Sequence, residues 1–121
     1  MSAYKDLCAL AHECALLNTT GSVLGWDQET GIPPAAVPYR AKQLAYLSGK
    51  AHVLATSDAW RRALEEAEDD QDNDPVVVAN LREIRQHFDR ATKLPQDLVE
   101  RSSEVSSIAK ASWMKARGAS D

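Results

Sequence analysis

His12-Glu13 is the pair in this chain whose side chains come nearest to a known chemistry. An imidazole followed by a carboxylate opens the HExxH arrangement. There, two imidazoles one helical turn apart hold a zinc ion, and the glutamate activates a water molecule. Leu16 stands where the second imidazole is required, so the motif is not completed. His52 and His87 are each isolated, with no second His or Cys at ligand spacing, and read as surface or satisfied core residues. Cys8 and His12 are four residues apart, the spacing of a thiolate–imidazole pair, but lack an electropositive setting or a third group to orient them. Asp70, Asp72 and Asp74 echo the start of a calcium loop. Pro75 occupies its glycine turn and Leu81 the place of its bidentate glutamate, so the stretch reads as a solvated loop leading into a helix. No glycine-rich phosphate loop occurs.

A second concentration of polar chemistry lies in Gly25-Trp26-Asp27-Gln28-Glu29-Thr30-Gly31-Ile32-Pro33-Pro34. A helical pattern runs into this stretch, and Pro33-Pro34 holds its exit extended. A large aromatic, two carboxylates and an amide stand side by side there. They either cap a last helical turn before a rigid elbow or form a cluster that docks helices or faces a groove.

The string GWDQETGIPP…RAKQLAYLSGKAHVLAT resembles the N-terminal signature of the carboxypeptidase Taq family of metallocarboxypeptidases. DPVVVANLREIRQHFDRATKLPQDLVE and WMKAR are similar to the next segments of that family, in the same order. The resemblance implies an α-helical, groove-containing exopeptidase that uses a divalent metal, zinc or cobalt, to remove C-terminal residues from peptides. It also implies that this chain corresponds to the opening part only. The metal ligands, general base and groups that hold the substrate's carboxylate would lie downstream, so no catalytic or metal-binding residue is assigned here. By the same resemblance, Trp26, Asp27, Gln28 and Glu29 are candidates for a groove-facing or helix-docking cluster, with docking favoured.

These residues must be positioned by helices. Ser2 can cap a helix from Ala3, with Tyr4, Leu7, Cys8, Leu10, Ala11, Cys14 and Leu17 on one face. After Asn18 the apolar pattern changes phase. The helix either ends there or continues among neighbours on several sides, and the resemblance favours continuation to about Glu29, with small residues admitting another element. A second helix is predicted over 37–56, with a core stripe of Leu44, Leu47, Ala51, Leu54 and Ala55 and a second stripe of Tyr39, Tyr46 and Val53. Thr56 or Ser57 caps a third, whose inner face is Trp60, Ala63, Leu64 and Ala67. Asp74-Pro75 starts a fourth, over 75–93, with Val77, Leu81, Ile84, Phe88 and Ala91 inside. A fifth spans 95–116 on a narrow stripe of Leu98, Val105, Ile108, Ala109 and Ala116. The expected fold is all-α, a single four- or five-helix bundle-like domain over 1–121.

At 121 residues the chain can bury a real core. Fourteen basic against eighteen acidic residues give a net charge of −4, which offers no footprint for nucleic acid or an anionic membrane. No apolar run approaches the roughly 20 residues of a membrane span, and the start lacks a signal-peptide layout. Cys8 and Cys14 are about 120° apart on a helix and cannot bridge; two buried, reduced thiols and a cytoplasmic location are expected. Surplus apolar surface on the first helix and around Trp26 points to a homodimer, unless the catalytic region covers it. Two functions stand against each other: a non-catalytic module of a metallocarboxypeptidase, inactive alone, and a stand-alone helical interaction module. Peptides would be bound only in the full-length context.

Overall fold

The computed structural model describes residues 2–70 and 74–119. Five α-helices follow one another: α1 (Ser2–Thr30), α2 (Val37–Ala55), α3 (Asp58–Asp69), α4 (Pro75–Ala91) and α5 (Gln96–Ala119). One 3₁₀ turn, Pro34–Ala36, sits between α1 and α2. No strand occurs among the described residues. The all-α expectation holds, and none of these helices is long and apolar enough to cross a membrane.

α1 runs unbroken for 29 residues. Its phase change is only apparent: Cys14, Leu17, Gly21, Leu24 and Gln28 continue the inward face, while Leu16 and Val23 point to solvent. Its glycines do not admit a close neighbour, contrary to expectation. A Cβ at Gly21 would meet only Leu44, in ordinary contact at 4.0 Å, and one at Gly25 would meet nothing within 4 Å. Cys8 is exposed rather than buried, and both cysteines are free. Any capping by the Ser2 side chain lies outside the described residues.

The large buried side chains gather where the first half of α1 meets α3 and α4: Leu7, Trp60, Leu64 and Phe88, with Ala3, Ala63 and Ala67 between them. α3 and α4 bury the faces their sequences predict. Ser57 caps α3 by accepting from the Trp60 amide at 3.2 Å, and Asp74 caps α4 by accepting from the Val76 amide at 2.9 Å. Arg61 pairs with Asp58 at 2.8 Å, inside the first turn of α3. Arg85 joins α4 to α3 through Glu68, and its guanidinium and that of Arg61 flank the Phe88 ring at 5.8 and 5.6 Å. Hydrogen bonding to Glu68 raises the Arg85 pKa further above its already basic range, so the guanidinium stays charged.

α2 has two packing faces. Leu44, Leu47 and Leu54 are half-buried on the side of α1, while Ala41, Ala45 and Gly49 form a buried small-residue row at helical spacing. α5 lies along α2, and at Gly49 the approach is so close that an added Cβ would collide with the Glu100 side chain. The stripe Tyr39, Tyr46 and Val53 is covered by no further helix among the described residues; all three are exposed.

The inner face of α5 corrects the sequence reading most sharply. Ser103, Ser107 and Ala111 are half-buried on the side of α2, with Ser48 donating to Ser103 at 3.3 Å. The expected core stripe of Leu98, Val105, Ile108, Ala109 and Ala116 lies on the opposite side, exposed along its whole length. Small side chains let the two backbones come together, so dispersion between close-packed helices replaces the burial of large apolar groups.

Candidate functional site

The cluster at the end of α1 is built by the elbow that follows it. Pro33 is extended (φ −63°, ψ 148°), Pro34 opens the 3₁₀ turn, and the chain re-enters a helix at Val37. This reversal sets the start of α2 beside the last turns of α1. Asp27 meets Arg40 of α2, Oδ2 to Nη1, at 2.9 Å. The same Arg40 nitrogen donates to the Leu24 carbonyl at 2.8 Å, and Arg40 Nε donates to Gln43 at 2.9 Å. Gln28 reaches the other way, its Nε2 donating to the Ser107 carbonyl of α5 at 3.1 Å. Glu29 pairs with Lys110, one turn further along α5.

Three consecutive side chains thus tie α1 to two different helices. Trp26 is not among them: it is 66% exposed, on the outer side of α1. The Gln28 carbonyl oxygen is buried without a hydrogen-bond partner, so the junction keeps one unmet acceptor. Arg40, Ser107 and Lys110 are the partners that sequence reasoning did not single out. Arg40 opens the RAKQLAYLSGKAHVLAT segment of the resemblance, but nothing local marks it as a partner of Asp27.

The open groove nearest the cluster lies between α1 and α2, about 440 Å³, with Leu24, Tyr39, Lys42 and Tyr46 on its walls. A more enclosed cavity of about 340 Å³ is lined by Cys14, Trp60, Ile84, His87 and Phe88, among others. The Cys14 thiol there is pushed up from its ordinary pKa by burial, which outweighs the hydrogen bond from Asn18; the Glu13 charge adds to the rise. A thiol held protonated is a poor nucleophile.

The ligand-type residues stay apart. His12 and Cys8 are exposed on α1, and His87 is exposed on α4. His52 Nε2 lies 2.6 Å from the Leu94 carbonyl, fastening the end of α2 to the turn before α5. Asp74 is engaged as a cap, and Asp72 lies outside the described residues. Among the described residues, no three His, Cys, Asp or Glu side chains come together as a metal-binding set. The side chains described here therefore do not fit a catalytic divalent metal, and no step through one is assigned to them.

The family model of the carboxypeptidase Taq (M32) metallopeptidases matches residues 6–121. The chain belongs to that family. Thermostable carboxypeptidase 1 of Thermus thermophilus is 32% identical over 123 residues, which cover 99% of this chain and 24% of that enzyme. Thermostable carboxypeptidase 1 of Pyrococcus furiosus is 23% identical over 121 residues, covering all of this chain and 23% of that enzyme. The chain therefore spans about a quarter of the length of either M32 relative. No solved structure matches it. The M32 segment matched here contains all five helices apart from the first residues of α1, elbow included.

Proposed function

We propose that this chain is a non-catalytic helical module of an M32 metallocarboxypeptidase that removes C-terminal residues from peptides, and that it helps wall or cover the substrate groove. The observation that carries this reading is the engagement of Asp27, Gln28 and Glu29. All three bind neighbouring helices, so this polar stretch acts as scaffold. Trp26, left outward at the same place, is the side chain available to face a groove or a further helix. The metal of such an enzyme, zinc or cobalt, would be held by the part of the M32 fold that this chain does not span. A cytoplasmic location accords with two free thiols.

Assay of the purified chain on a blocked dipeptide, with zinc or cobalt added, tests the reading. No release of the C-terminal amino acid, and no metal retained after dialysis, is the expected result. One tightly held metal per chain with turnover would overturn it.

A second reading, a helical interaction module that associates with its own kind, is favoured by Leu16, Val23 and Trp26, all exposed on the outer side of α1. A two-fold contact through that face would give a dimer in light scattering at micromolar concentration. A monomer that stays soluble would remove this reading.

A further inference from the structure

The outer face of α5 is the largest mismatch between what this sequence offers and what the structure covers. Leu98, Val105, Ile108, Ala109 and Ala116 repeat at helical spacing over most of the 24-residue helix. Val105 is 55% exposed, in mid-helix, where fraying does not account for it. The opposite face holds α2 through serines and alanine, so turning the helix over would cost the Gly49 approach and the Ser48–Ser103 bond. α5 packs chiefly along α2 and is bridged to α1 through Gln28 and Glu29, while Leu98, Val105 and Ile108 stay exposed, with no partner among the described residues. An amphipathic helix whose polar side is inside is the middle layer of a stack, not its outer layer.

The M32 relatives supply the occupant. Each contains about three times as much chain again beyond the matched quarter, and the match includes α5 whole. We propose that the outer stripe of α5 is the face on which the remaining polypeptide of an M32 enzyme packs, with an apolar helix of that part laid against Val105 and Ile108. The inference rests on the proposed module role and goes beyond it by naming a surface, the outer stripe of α5.

Carbene footprinting of unmodified side chains tests it on two proteins as they exist, this chain and intact Thermus thermophilus thermostable carboxypeptidase 1. The stripe of α5 should label in this chain, and the aligned positions of the intact enzyme should label about tenfold less, the contrast between exposed and buried apolar groups. Equal labelling in the two would overturn the proposal. So would a stripe already protected in this chain that becomes reactive on dilution, since a second copy would then be the occupant. As a second measurement, Val105→Lys should leave the melting temperature of this chain within a few degrees of the original. A large loss would show that the face is buried within the chain itself. Turnover by the isolated chain would sink the module reading without altering the footprint, so the two failures are distinguishable.

Discussion

Asp27, in the last turn of α1, and Arg40, near the start of α2, meet at 2.9 Å across the Pro33-Pro34 elbow. Arg40 is the more buried partner and also holds the Leu24 carbonyl, so it acts on both the charge and the backbone of the helix end. A guanidinium near the C-terminus of a helix further complements the partial negative charge there.

Arg40→Ala should therefore cost more than an ordinary surface pair, about 1–2 kcal/mol after allowance for the partly exposed carboxylate. Arg40→Lys should recover only part of this, because a single ammonium cannot hold Asp27, Leu24 and Gln43 with the fork's geometry. Urea unfolding midpoints of the two variants check it. A loss of only a few tenths would mean that the prolines fix the elbow without help.

Gly49 and Glu100 form a testable pair. Gly49→Ala gains helix propensity, up to about 1 kcal/mol, but its new methyl meets the Glu100 side chain and forces it to move. With Glu100→Ala in place the obstacle is gone, and the same substitution should become stabilising. A double-mutant cycle by thermal melting should show this coupling. Simple additivity would mean that Glu100 swings aside freely.

Phe88 is buried among Trp60, Leu64 and two guanidinium groups. Phe88→Ala should destabilise by about 3–5 kcal/mol, lowering the melting temperature by roughly 10 °C or more. A shift of a degree or two would place the ring at the surface.

The two cysteines should differ in reactivity. Exposed Cys8 should react with a thiol reagent at once, and Cys14 only slowly. Because the folded state raises the Cys14 pKa, it binds more protons than the unfolded state above the ordinary value of 9.0. That contribution is fully present below 9.0 and is lost as pH rises through the folded value. Unfolding midpoints on either side of this value, compared with Cys14→Ser, check the sign: the variant should lose less stability in alkali.

The elements that sequence reasoning placed well are those whose apolar and polar residues are cleanly separated. In α3 and α4 the inward side chains Trp60, Leu64, Val77 and Phe88 could be read directly from their spacing. α5 is legible as a helix but not as to face, because its inward side is made of Ser103, Ser107 and Ala111. Periodicity reports where large apolar groups lie; it carries no signal for a contact made by close approach of small ones. The polar cluster was visible as residues 26–29, but its partners stand on α2 and α5, up to 81 positions away, and nothing local announces them. The split between Trp26 outward and Asp27 to Glu29 engaged follows from where α2 and α5 lie against the end of α1.

α1 is a single rod of 29 residues, about 43 Å long, and its two halves are held by different means. The first half carries the large apolar side chains shared with α3 and α4. The second half is held by α2 and, through amide and ionic bridges, by α5. Burial of apolar area is the stronger cohesive term, so the two ends need not open together. In native-state hydrogen exchange α5 should be released first, by a partial opening that leaves Trp60 enclosed, while the start of α1 and α3 exchange only when the whole chain unfolds. The rod that joins the halves thus also sets the order in which they part.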